Sequence, residues 1–256
     1  MTNYPTGPEK RDILLKDSLY SAIGLAAASL EQHLDFNAFL ESTLVPEVQI
    51  QEQGYNVLRR RIAISIGQWV PVKPDELNRN AIYQIFQFLL SKQDPVNDLV
   101  VRITAGRQLR NVLDPFEFSP TGFMPFAPSI LQDLMALVQE VELSETKMAL
   151  LDTVRAVVVK MEDHVCNLSE HSSLVLVLMF LQITPFSDQI LALLPPLWEH
   201  SGEEHLMKQA ILTLLSSLIN SLKQDSARYH SIILPLIQSS VEPGSVSIPS
   251  PVSGAI

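Results

Sequence analysis

Cysteine is nearly absent: Cys166 is the single one among 256 residues. That excludes an internal disulfide framework and a cysteine-rich zinc site. Long hydrophobic runs are also missing, because the longest charge-free apolar stretch, Ser172 to Phe186, is too short to span a bilayer as a helix. No membrane insertion is expected, and the polar opening MTNYPTGPEK predicts no secretory leader. Glycine-rich phosphate loops and the HExxH pattern are absent too, so neither nucleotide nor zinc-protease chemistry has a foothold. Strict apolar–polar alternation, the mark of a half-buried strand, occurs nowhere.

Positive charge is scarce as well. The chain carries 18 Lys and Arg against 28 Asp and Glu, a net −10. An acidic chain repels phosphate, and the one basic run, Arg59-Arg60-Arg61, is not interleaved with stacking aromatics, so nucleic acid is a poor partner. The acidity is uneven. Residues 55–111 hold nine basic and four acidic side chains, whereas residues 132–205 hold three basic and twelve acidic ones.

Two clusters invite a catalytic reading and fail it. Trp198 to His205, WEHSGEEH, groups two histidines and three glutamates, but the spacing crosses a glycine turn and no Cys or Asp completes a tetrahedral set. Cys166 beside His164 is not a nucleophile–base pair, because near neighbours on a helix point apart and no third group orients them. The chain reads as a non-enzyme with no cofactor and no metal.

What is present is helical period. Helices are predicted at about 11–31, 35–48, 55–70, 75–92, 95–112, 128–142, 144–164, 187–200, 203–222 and 226–239. Pro71 and Pro74 punctuate one turn, and Pro95 reads as opening a helix at its first turn. The second helix of each pair starts near residues 13, 55, 95, 144 and 203, giving intervals of 42, 40, 49 and 59. Helical hairpins of the HEAT and armadillo kind recur every 40–47 residues or so. The fold class is therefore all-α, an α-solenoid of HEAT-type hairpins. Residues 11–240 form the array, with about four complete hairpins and a half-repeat at each end. Residues 1–10 and the Ser/Pro/Gly-rich 241–256 are expected to be disordered.

A solenoid has only nearest-neighbour contacts, so each repeat must set its register against the next. In HEAT repeats an aspartate in the turn and an arginine on the second helix do this as a ladder of directional ion pairs. Asp98 with Arg102, and Asp152 with Arg155, match that pattern; Arg61 supplies the arginine without the aspartate. Arg59 and Arg60, and the acidic Glu162, Asp163, Glu203 and Glu204, remain as candidate partner-binding residues.

The runs YNVLRRRIAISIGQWVPV and LVVRITAGRQLRNVLDPFEF resemble the central part of an importin-β-family nuclear transport receptor of the importin-eleven type. So do LKDSLYSAIGLAA, ILALLPPLWEHSG and LMKQAILTLLSSLINSLK. The resemblance implies a karyopherin that binds cargo proteins, crosses the pore on Phe-Gly nucleoporins and surrenders cargo to Ran-GTP, shuttling between cytoplasm and nucleus. The Ran-gripping repeats of the family have no counterpart here. A HEAT scaffold assembling a phosphatase, kinase or trafficking complex is the alternative. Against the family pattern, VCNLSEHSSLVLVLMFLQ at 165–182 is an insertion of eighteen residues, and removing it shortens the interval of 59 to 41. Its first codons can carry a splice-donor sequence and its last a splice acceptor, so a retained in-frame intron is expected; a genuine extra helix is the alternative.

Overall fold

The computed structural model describes residues 8–73, 77–114, 118–168 and 173–241, with side chains described for all of these except 8–11, 162–168 and 173–185. Helix α1 (Pro8–Leu25) and the short α2 (Ala27–Leu30) lead into α3 (Phe36–Phe39), a π-helical turn (Leu40–Leu44) and α4 (Val45–Val48). Then follow α5 (Tyr55–Trp69), α6 (Arg79–Leu90), α7 (Leu99–Leu113), the single-turn α8 (Pro120–Phe123), α9 (Ala127–Glu140) and α10 (Ser144–Leu168). Last come α11 (Ser173–His200), α12 (His205–Leu222), a 3-10 segment (Lys223–Tyr229) and α13 (His230–Val241). Among the described residues there is no strand.

Side-chain caps set many of the starts. Asp35, Asn78, Asp98 and Ser119 each accept a backbone N–H three residues on, at 3.0, 3.2, 2.7 and 3.4 Å. One expectation fails here: the helix predicted from Pro95 begins at Leu99. Asp98 stands in an extended conformation with its carboxylate on the Val101 N–H, so the cap, not the proline, chooses the first turn. Gly54 and Gly202 occupy left-handed backbone (φ 92° and 50°) at the turns before α5 and α12, where a Cβ would be strained.

The helices form two layers. α1, α5, α7, α10 and α12 stack in order as one layer, each against the next. The other layer runs through α4, α6, α9, α11 and α13. A continuous apolar core lies between them, with Leu58, Ile62, Ile66, Trp69, Ile82, Phe86, Leu109 and Leu134 inaccessible to solvent. The Trp69 indole stacks on Phe36 at 4.6 Å, clamping the π-turn region against α5. Each hairpin thus leans on its neighbours along the row, as an α-solenoid must.

α11 is longer than its predicted span of 187–200, since its backbone is already helical from Ser173. Of the proposed insertion, 169–172 lies outside the described residues, and so do the side chains of the rest of 165–182. Residues 1–7 and 242–256 also lie outside them, while α1 begins at Pro8, within the stretch expected to be disordered.

Candidate functional site

Of the positions singled out in the sequence, Arg61, Asp98 and Asp152 lie at the seam where the stacked layer joins helix to helix. Arg61 on α5 donates to Asp17 on α1 (2.7 Å), supplying the aspartate that the sequence pattern did not find. Asn56 on α5 donates to Asp98 (2.8 Å), so this aspartate caps α7 and ties it to α5 at once. Arg102 makes a bidentate pair with Glu140 at the end of α9 (2.9 and 2.7 Å), and its Nε reaches the Asn97 carbonyl (3.3 Å). Its partner is thus a glutamate of the next hairpin's other layer, not an aspartate. Asp152 on α10 accepts from Arg110 on α7 (3.0 Å), while Arg155 turns back to Asp152 on its own helix (3.0 and 2.7 Å). The cross-helix half of that rung belongs to Arg110, a residue the sequence pattern passed over.

Between the charged rungs run neutral ones. Ser65 donates to the Tyr20 carbonyl (3.0 Å), Trp69 Nε1 to the Ile23 carbonyl (3.1 Å) and Thr153 to the Gly106 carbonyl (3.0 Å). The two hydroxyls reach a helix backbone because the helices lie close, and the longer indole reaches the same layer from Trp69. At Gly106 a Cβ would lie 2.5 Å from a Leu150 methyl and 3.2 Å from a Leu134 methyl, whereas at Gly24 and Gly67 it would meet the movable side-chain amides of Gln68 and Gln108. A hydroxyl bonded to a backbone oxygen holds the two helices in fixed rotation, and the ion pairs beside it fix their sliding.

Arg59 corrects an expectation. It was a candidate for meeting an acidic partner, yet its side chain is 0% exposed. The guanidinium donates to Asp94 (2.8 and 3.3 Å), to Asn97 Oδ1 (2.8 Å) and to the Ile50 carbonyl (3.1 Å), and it lies 4.8 Å from the centre of the Phe88 ring. A buried cation survives only when paired and hydrogen-bonded, and this one is spent on joining the turn before α5 to the turn before α7. Arg60 is half-buried with its Nε lacking a partner. Glu203 and Glu204 are exposed in the turn before α12, whereas the side chains of Glu162 and Asp163 lie outside the described residues.

The pairs show in the carboxylates' proton affinity. Hydrogen bonds from Arg102 and Lys92 hold Glu140 down at about 2. Burial alone would raise Asp94 and Asp152, but donors outweigh it and both are lowered: Arg59, Gln51 and the Val96 N–H at Asp94, Arg155 and Arg110 at Asp152. Asp133, half-buried on α9, is raised by the same desolvation with only the field of Arg102 opposing it. None of these groups converges on a cleft with a nucleophile. Among the described residues, no three His, Cys, Asp or Glu side chains are grouped to hold a metal ion. No described helix is long and apolar enough to cross a membrane. The arrangement braces one stacked helix against the next.

Comparison with known proteins places the architecture. A family model described as "Importin-11-like, TPR repeats" matches residues 209–248. Importin-11 of Mus musculus and of Homo sapiens are each 34% identical over 239 residues, 93% of this chain and 22% of those proteins. The importin beta-like protein KAP120 of Saccharomyces cerevisiae is 27% identical over 242 residues, 92% of this chain and 22% of that protein. The solved structure of Lph2, described as a bidirectional nuclear transport receptor in S. cerevisiae, superposes with a TM-score of 0.74 at 26% identity, over 92% of this chain and 22% of its own. The chain spans about a fifth of the length of these relatives.

Proposed function

The chain is an importin-11-type relative within the importin-β family, and from that premise we propose that it is a cargo-holding stretch of a nuclear transport receptor. The observation that carries this is the end-to-end correspondence between its stacked hairpins and a stretch of Lph2, a protein described as a transport receptor. The chemistry agrees. Its charged groups are used to set the register of a long, continuous two-layer surface, and such surfaces hold proteins. The protein containing it shuttles between cytoplasm and nucleus, carries cargo proteins, meets Phe-Gly nucleoporins on the way and releases cargo when Ran-GTP binds repeats other than these.

The test uses the whole receptor from its own cells. Tagged at one end, it should be found on both sides of the nuclear envelope, and the proteins that co-purify with it should dissociate when Ran loaded with a non-hydrolysable GTP analogue is added. A tag confined to the cytoplasm, with a co-purifying set indifferent to Ran, would replace transport by scaffolding.

A further inference from the structure

A hydrogen bond or ion pair fixes two helices at one rotation and one offset, whereas apolar contact has no direction and resists neither as sharply. Three seams of the stacked layer are fixed in the first way. α5 holds α1 through Arg61 on Asp17 and through Ser65 and Trp69. Arg59 and Asn56 of α5 hold the turn before α7. α10 and α7 are joined by Arg110 on Asp152, by Thr153 and by Lys160, which donates to the Asp114 carbonyl (3.2 Å).

The fourth seam, between α10 and α12, is built differently. The buried face of α12 is Met207, Ile211, Leu214, Leu215, Leu218 and Leu222 with Ser221 near its end. Its other hydroxyls close on its own backbone: Thr213 donates to the Gln209 carbonyl (2.8 Å) and Ser217 to the Thr213 carbonyl (3.1 Å). Ser65 and Thr153, by contrast, cross to the neighbouring helix. Among the described residues, no side-chain hydrogen bond or ion pair joins α10 to α12, although the two helices pack along each other. The same junction is incompletely filled. A cleft opens between α10, α11 and the start of α9, lined mainly by apolar side chains such as Met124, Leu131, Val158, Met161, Phe186 and Ile190. Methionines adapt to a changing shape at little cost.

We propose that the array bends at this one joint: the hairpin of α11 and α12 turns and slides as a body against α10, while the hairpins before it move together. Packed helices slide past one another by shear without losing contact. Because each hairpin is coupled only to its neighbours, the seam without directional bonds sets how far the whole row flexes. A shift there changes the angle of the last hairpin to the others, and with it the curvature of the surface, without breaking a rung. The joint follows from the packing and does not depend on the transport reading.

The test measures distance distributions between spin labels by double electron–electron resonance on the 256-residue chain, with Cys166→Ser to remove the native thiol. Ser42→Cys with Ala136→Cys spans two seams fixed by polar bonds, from the π-helical turn to α9. Gln84→Cys with Gln189→Cys also spans two seams, from α6 to α11, and the second of them is the joint. All four positions are exposed, so the labels leave the core intact. The pair across the joint should give a distribution about twice as wide as the other. Removing rungs between α7 and α10 with Arg110→Ala and Thr153→Val should then widen the Ser42–Ala136 distribution and leave the Gln84–Gln189 one at least as wide, with the helical circular dichroism unchanged. Equal widths for the two pairs in the parent, or a Ser42–Ala136 width untouched by the loss of the rungs, overturns the proposal. No cargo, nucleoporin or Ran is present, so that failure is separate from a failure of the transport reading.

Discussion

Arg59→Ala tests how the stacked layer is held. The substitution removes a guanidinium that is 0% exposed and makes four contacts: two to Asp94, one to Asn97 and one to the Ile50 carbonyl. It leaves Asp94, whose side chain is 9% exposed, with Gln51 and the Val96 N–H but no cation. It also opens a gap beside Phe88. Taking one partner out of a buried ion pair costs about 3–5 kcal/mol, mostly the penalty of the charge left behind. Replacing both partners should cost less than the sum: Arg59→Met with Asp94→Leu should show a coupling of about 1–3 kcal/mol relative to the two singles. Urea titration followed by circular dichroism at 222 nm gives these differences, with the slope checked so that a change in cooperativity is not read as one in stability. A loss below about 1 kcal/mol for Arg59→Ala, or strictly additive singles, would refute a working buried pair.

Arg102→Ala should cost about 1–3 kcal/mol by leaving Glu140 with Lys92 alone and the Asn97 carbonyl without the Arg102 donor; a loss of a few tenths in the same titration would remove it from the ladder. Glu140 has a lowered pKa, so the stability it adds is complete above its ordinary value of 4.5 and lost as the pH falls towards about 2. Melting temperature should therefore drop across that window in the parent and drop less in Glu140→Gln. Gly106→Val would push a branched side chain into the Leu150 and Leu134 methyls and should destabilise by about 1–3 kcal/mol; adding Leu150→Ala should recover part of it, and no recovery would mean the close approach is not what the glycine serves. For 165–182, sequencing reverse-transcribed message across codon 164 should give a product lacking eighteen codons; a sole product containing them would establish a genuine insertion.

The hairpin period, the head of α5 at Tyr55 and the apolar stripe of α7 were legible because they are local. The head of α7 was not, because Pro95 looks like a first-turn residue and the cap at Asp98 overrides it. The partners were not legible. Arg61 meets Asp17 across 44 residues and Arg110 meets Asp152 across 42, distances at which neither composition nor helical period constrains a pairing. Only a search for acids one repeat away would have found them. Arg59 misled because three consecutive arginines look like a surface patch, whereas the helix sends successive side chains about 100° apart; one is buried with Asp94, one half-buried, one on Asp17. Gly106 carries no signal in the sequence, and its use appears only where the Leu150 and Leu134 side chains come close.

The central claim is a row of hairpins in which each is held only by its neighbours. Native-state hydrogen exchange of the parent and of Arg59→Ala, resolved along the chain by mass spectrometry, tests it most directly. Protection should fall across residues 36–113, around the broken seam, and be retained in α12 and α13. An equal loss of protection at every helix would mean a single shared core and contradict the solenoid.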